Sequence, residues 1–329
     1  MKTTRAIFTE HGGPEVIRFE DAELPQPGPG EVTIEHGAVG LNYIDTYHRR
    51  GIYPVELPSG MGLEAAGRIV AVGDGVADFA EGDRVATFGP LLGAYATHRN
   101  IAASHLFRLP DTIDDRTAAA AILKGCTTEF LVERCGRVQA GWPVLVHAAA
   151  GATGLLLVQW LKAIGAQVIG TVSTDAKAEA ARAAGCDHVV FYKQEDTAAR
   201  VRELTGGEGV RVTFDGIGRS TWETSLDSTG KRGLVINYGN ADAPVGEVDV
   251  GVLAMKGSLY NTRPMLFHYY EEPEERAAGA ARVWEMFASG KLSVTIGQEY
   301  ALTDAARAHE DLQAGRTTGS TVLIPEAET

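Results

Sequence analysis

The chain has 329 residues, 44% hydrophobic and 22% charged, the composition of a folded protein of two domains rather than of a disordered chain. Its 30 basic and 43 acidic side chains leave a net charge of −13, which argues against nucleic acid or an anionic membrane as a partner, since both need a basic face. No run approaches the roughly 18 to 20 apolar residues of a membrane span. The N-terminal MKTTRAIFTEHGGPEV lacks the apolar stretch of a secretory signal, and Cys126, Cys135 and Cys186 form no CxxC pair, so a reduced, cytoplasmic protein is expected.

The first third reads as β-rich. Short apolar runs at 32–41, 67–73, 83–89 and 95–101 are bounded by Gly, Pro or Asp, the spacing of a small barrel-like unit. From about residue 124 the runs WPVLVHA, AQVIGTV, DHVVFY, VRVTFD and RGLVIN are nearly all apolar, as in parallel strands buried on both faces. Helix-like segments at 153–164, 175–184, 195–204 and 219–227 separate them, which predicts an α/β fold with a doubly wound parallel sheet and right-handed crossovers. The strand predicted within 257–262 has no later strand to cover it, so a second copy is expected to pair with it in a homodimer. Farther on, Ala280, Val283, Trp284 and Phe287 fall on one face of a helix ending near Gly290. Another helix and the strand STVLIP follow, too little for a third domain. The expected division is therefore 1–124 with 263–329 against 125–262.

The sharpest motif is VLVHAAAGATG (144–154), in which Ala148-x-x-Gly151-x-x-Gly154 follows a strand and opens a helix. Small residues let the backbone turn sharply and approach a pyrophosphate at the helix N-terminus, which makes Gly151, Ala152, Thr153 and Gly154 cofactor-binding candidates. An NAD site ends its second strand in Asp or Glu, whereas this chain has Ser173-Thr174 there, with Lys177 and Tyr192 nearby. Ser173, Lys177 and Tyr192 suit a 2′-phosphate, so NADPH is the expected cofactor. The other reading is that Thr174 or Asp175 caps the next helix and Lys177 is a solvated lysine. After the fourth and fifth strands, Ile217, Tyr238, Gly239 and Asn240 are candidates for the nicotinamide half.

The segments HGGPEV (11–16), GLNYIDTYHRRGIYP (40–54), LPSGMGLEAAG (57–67), HAAAGATG (147–154), RPM (263–265) and RAHEDLQ (307–313) together resemble the zinc-independent quinone oxidoreductases, the zeta-crystallin-like branch of the medium-chain dehydrogenase/reductase superfamily. The resemblance covers essentially the whole chain. It implies a GroES-like catalytic domain, a Rossmann domain, NADPH in the cleft between them, and a homodimer. Zinc alcohol dehydrogenases of the same superfamily carry a ligand Cys where this chain has Asn42, and their Gly-His-Glu reads Gly62-Leu63-Glu64 here. No metal is expected.

The resemblance also implies site residues. Asn42 is placed on the nicotinamide side, and Tyr47 and Tyr53 orient the substrate, while Asp45 orients its neighbours rather than acting as an acid. For either tyrosine the alternative is simple core packing. Lys124, Thr127 and Phe130, in LKGCTTEF, match a segment lying against the cofactor. Relatives commonly show Arg-Lys-Thr-Thr-Gly near the C-terminus where this chain has Gly315-Arg316-Thr317-Thr318-Gly319. The expected activity is NADPH-dependent reduction of a quinone. The alternatives are a zinc-free enoyl or alkenal reductase and a non-enzymatic NADPH-binding protein.

Overall fold

The structure, a computed structural model, describes residues 1–89 and 91–325. The chain divides into two compact units, Met1–Lys124 with Val294–Thr329, and Gly125–Ser293.

The first unit is built on a seven-stranded sheet whose long central strand, Glu31–Leu41, pairs antiparallel with Glu64–Val72, His98–Ala102 and Ser320–Ile324. The close fit of the first two requires a glycine: a Cβ on Gly67 would lie 1.9 Å from the Glu35 carbonyl oxygen. A smaller sheet joins Lys2–Phe8 to Arg18–Glu23 and Ser59–Gly60. The C-terminal return belongs to this core, because Leu302, Ala305, Ala308 and Leu323 pack with Phe8, Val39, Met61 and Tyr95.

The second unit is a six-stranded sheet with every neighbouring pair parallel. Its strands lie in the order His188–Phe191, Gln167–Val172, Pro143–Val146, Val210–Asp215, Thr229–Asn237 and Tyr260–Thr262. Counted along the chain this is 3-2-1-4-5-6, the doubly wound order, with its switch point between the first and fourth strands. The strand Tyr260–Thr262 occupies an outer edge.

The segment 263–293 lies in the second unit, not in the first as its sequence suggested. The reason is where the helix Pro273–Ala288 buries its apolar face. Val283 is fully buried and fills the space beside Gly125, where an added Cβ would sit 2.8 Å from Val283 Cγ1. Arg282 of the same helix pairs with Glu133 at 2.9 Å. Amphipathic spacing shows that a helix has a face to bury, but it does not identify the receiving surface.

Candidate active site

In the first unit the strand Glu31–Leu41 ends at Asn42, whose backbone is extended (φ −125°, ψ 152°), and the helix Tyr43–Arg49 begins. Asp45, in the first turn, accepts the Asn42 backbone N–H at Oδ2 (2.9 Å), a cap for a helix end that would otherwise keep orphan donors. The Tyr95 hydroxyl donates to the same oxygen (3.0 Å). Asp45 is fully buried and its Oδ1 has no hydrogen-bond partner. Burial pushes the carboxyl up to about 7, against the opposing effect of its hydrogen bonds to Asn42 and Tyr95.

The Asn42 side chain points elsewhere. Its Nδ2 donates to Glu64 Oε2 at 2.8 Å, and the same oxygen accepts Lys124 Nζ at 2.9 Å. Glu64 Oε1 takes the Leu123 backbone N–H at 2.7 Å. Glu64 and Lys124 are both buried, so this ion pair is shielded from solvent. Gly40 is required beside it, since a Cβ there would meet Glu64 Oε2 at 2.3 Å and the Ala119 carbonyl oxygen at 2.1 Å. Glu64, which the sequence showed only as the remnant of a lost metal motif, is thus the centre of the cluster. A hint was present: Glu64 and Lys124 each interrupt apolar surroundings, where charged residues are buried only when paired.

The helix Tyr43–Arg49 also carries Tyr47, which is 4% exposed and makes an edge contact with half-buried Tyr53 (centroids 5.3 Å apart). The Ile52 and Tyr53 backbone N–H groups both donate to the Tyr47 carbonyl, so the two rings are linked through the chain as well. Tyr43 and His48 extend this aromatic group, with burial lowering His48 to about 4 and keeping it neutral. Near the C-terminus, Arg316 is engaged locally, its Nε 2.6 Å from Asp311 Oδ1.

In the second unit the strand Pro143–Val146 leads into the small-residue turn. Ala148 sits at φ +51°, the left-handed region that favours glycine. Gly151 is the N-cap of the helix Ala152–Ile164, and no side chain caps that end. The first-turn amides of Ala152, Thr153 and Gly154 therefore suit an anion such as a pyrophosphate, and Gly151 is exposed. Gly154 has a packing reason, since its Cβ would lie 2.3 Å from the Ala148 carbonyl oxygen.

Ser173 and Tyr192 follow the ends of adjacent strands, where Val172 registers with Phe191 and the Tyr192 N–H donates to the Val172 carbonyl at 3.3 Å. Tyr192 is 50% exposed and Lys177 half-buried. Thr174, not Asp175, is the cap of the next helix, its side chain accepting the Lys177 N–H. The Ile217 N–H donates to Asp215 Oδ1 at 2.9 Å. The turn at Tyr238 and Gly239 packs tightly on Gly216, leaving no room for a Cβ on Gly239, which would meet the Gly216 carbonyl oxygen at 2.4 Å. Asn240 accepts from Arg263 (3.2 Å) and donates to the Gly239 carbonyl (3.0 Å) in the amide orientation that satisfies both groups.

Phe130 is buried, 1% exposed, with its ring stacked on Tyr269 at 4.5 Å. The Lys124 ammonium holds the Glu64 carboxylate at 2.9 Å. Thr127, on the same helix Asp115–Glu129, is half-buried.

An alcohol dehydrogenase GroES-like domain model matches residues 28–111, and a zinc-binding dehydrogenase model matches 152–272. A quinone oxidoreductase of Pseudomonas aeruginosa is 48% identical over 98% of this chain and 99% of its own length. A 2-haloacrylate reductase of a Burkholderia species is 41% identical over 98% of this chain and 99% of its own. The crystal structure of Escherichia coli quinone oxidoreductase complexed with NADPH matches with a TM-score of 0.96 at 44% identity, covering 98% of this chain and 100% of that one. The metal implied by the second family model does not fit these residues. Asn42 presents an N–H donor to Glu64, and Glu64 already holds a cation, the Lys124 ammonium. Among the described residues no three His, Cys, Asp or Glu side chains gather as a metal site.

The buried Asp45 carboxyl has a stability consequence. Its value in the fold, about 7, is above the ordinary 3.8, so the folded state holds its proton more tightly than the unfolded state does. That contribution is complete below about pH 4 and is lost as pH rises through about 7. The thermal midpoint of Asp45→Asn should gain on that of the wild type between pH 5 and pH 8. A difference that stays constant across that range would show that Asp45 is already ionised at pH 5.

Proposed function

The chain belongs to the quinone oxidoreductase branch of the medium-chain dehydrogenase/reductase superfamily, and on that premise we propose that it reduces quinones at the expense of NADPH. The observation that carries this reading is the uncapped, small-residue turn before the helix Ala152–Ile164, followed by Ser173 and Lys177 where an NAD site would place a carboxylate. When bound, NADPH supplies a hydride, and the quinone takes up one proton with it to become a hydroquinone.

The chain's own residues then bind and align. The amides of Ala152, Thr153 and Gly154 take the pyrophosphate, with Gly151, its own N–H on the Ala148 carbonyl (2.9 Å), leaving the approach open, while Ser173, Lys177 and Tyr192 take the 2′-phosphate. Thr127 lies against the cofactor, and Ile217, Tyr238, Gly239 and Asn240 serve the nicotinamide half. Asn42 lies on the nicotinamide side of the acceptor, Tyr47 and Tyr53 orient the acceptor ring, and Asp45 fixes the start of the helix that carries Tyr47. A quinone is already electron-poor, so its reduction asks mainly for alignment and exclusion of water. A second reading is reduction of an alkene activated by a carbonyl or carboxyl group, favoured by the likeness to a 2-haloacrylate reductase.

The protein works in the cytoplasm, where Cys126, Cys135 and Cys186, none of them in a disulfide, stay reduced. Among the described residues no helix is long and apolar enough to cross a membrane. It forms a homodimer by pairing the edge strands Tyr260–Thr262. Tyr260 is 63% exposed there, and Val250 and Met255, on the segment leading to it, are 72% and 87% exposed. Exposed apolar groups beside an uncovered edge support a second copy as the occupant.

Purified protein should oxidise NADPH in the presence of 1,4-naphthoquinone faster than with 2-alkenals. The reverse order would favour the alkene reading, and no turnover with any acceptor would leave only nucleotide binding. Lys177→Ala should raise the KM for NADPH about tenfold, the effect of one lost charge-assisted contact, and barely change that for NADH. Equal effects on both cofactors would remove Lys177 from the site. Light scattering should give twice the chain mass for the wild type and the single-chain mass for Tyr260→Asp, whereas a monomeric wild type would end the dimer proposal.

A further inference from the structure

The turns that follow the strands Pro143–Val146 and Val210–Asp215 flank the switch point of the parallel sheet. A buried polar chain runs beneath them. Asp215 Oδ1 accepts the backbone N–H groups of Ile217 (2.9 Å) and Gly218 (3.1 Å), and its Oδ2 accepts the Ser225 hydroxyl (2.7 Å). The Thr221 hydroxyl reaches both oxygens, at 2.9 and 2.8 Å. Ser225 Oγ lies 3.1 Å from His147 Nε2, and His147 Nδ1 lies 3.3 Å from Thr171 Oγ1. Thr171 Oγ1 in turn accepts the Ala148 N–H at 3.2 Å. Thr171, His147, Asp215 and Ser225 are all buried.

Counting hydrogens gives this chain one direction. A carboxylate only accepts, so the single Ser225 hydroxyl hydrogen points at Asp215, and the serine oxygen must accept the His147 Nε2–H. A neutral ring then offers Nδ1 as acceptor to the Thr171 hydroxyl. Burial holds His147 below its ordinary range and keeps it neutral, although Asp215 pulls the other way. The residue types are those of an acyl-transfer triad, but the arrangement is not. Ser225 donates its hydrogen bond to the carboxylate rather than to the imidazole and is fully buried, so it cannot serve as a nucleophile.

The chain reaches two places that matter for a dinucleotide. At one end is Ala148, held at a positive φ with its N–H on Thr171. At the other are the amides of Ile217 and Gly218, held by Asp215. We propose that His147 is a positioning residue that locks the pyrophosphate turn at 148–154 to the turn at 215–218, so that both halves of the cofactor meet a preformed site. The inference rests on the NADPH reading above and extends it to a buried residue beneath the two turns.

Two small substitutions test it. Ser225→Ala and Thr171→Val each remove one link and keep the side-chain volume nearly unchanged. In hydrogen–deuterium exchange without added cofactor, Ser225→Ala should speed exchange across 147–154, and Thr171→Val should speed it across 216–220, the turn remote from each change. In fluorescence titrations each should raise the Kd for NADPH about tenfold, the order expected for a lost hydrogen bond in a charged network. The double variant should be little worse than the poorer single one, because both break the same connection. Unchanged exchange in the remote turn, or Kd increases that multiply in the double variant, would overturn the lock. Failure of the wild type to bind NADPH would contradict the cofactor reading instead, and the exchange arm would still decide the lock.

Discussion

The first unit depends on one buried carboxylate. Glu64 has no exposed surface and accepts three hydrogen bonds, from Lys124, Asn42 and the Leu123 backbone. An unpaired charge in that place would be costly, so each partner is fixed by the demand to satisfy it. Gly40 must be glycine to make room, and the Asn42 amide must face inward. From Asn42 the order passes through its backbone N–H to Asp45, and from Asp45 to Tyr95. Tyr95 continues to His309 Nε2 (3.0 Å), and His309 Nδ1 to Arg49 Nη1 (3.1 Å). Burial and the adjacent Arg49 lower His309 to about 3, so the ring is neutral and accepts from the guanidinium. The helix Tyr43–Arg49 is thereby held near both ends, with Tyr47 between them.

This arrangement bears on the chemistry. The positive charge at Glu64 is a lysine ammonium, and Asn42 turns an N–H donor toward the same oxygen. A buried, paired carboxylate gives this segment rigidity, and a quinone, reactive already, asks mainly for alignment. In the second unit the small-residue turn follows the same economy of side chains. Gly151 and Gly154 clear space, and the uncapped helix end supplies the donors.

Much of this was legible in the sequence. Apolar runs alternating with helical segments led to the parallel sheet, and Ala148-x-x-Gly151-x-x-Gly154 led to the small-residue turn between its first strand and the helix Ala152–Ile164. These are local signals, carried by neighbours in the chain. The remainder depends on contacts between distant residues. Glu64 and Lys124 are 60 positions apart, and nothing in either segment names its partner. The segment LKGCTTEF likewise does not show that the Phe130 ring stacks on Tyr269, 139 positions away. The helix Pro273–Ala288 showed its apolar face but not that Gly125 had left room for Val283.

The most direct test of the role given to Glu64 is its coupling energy with Lys124, measured by denaturant unfolding of the wild type, Glu64→Gln, Lys124→Met and the double variant. The account predicts that Lys124→Met alone is severely destabilised, by about 3 to 5 kcal/mol, because it strands a buried carboxylate. Adding Glu64→Gln should recover a large part of that loss, giving a coupling of about 2 kcal/mol or more. Additive effects of the two substitutions would contradict it, and would mean that the turn at Asn42 and the helix Tyr43–Arg49 are ordered by packing rather than by this ion pair.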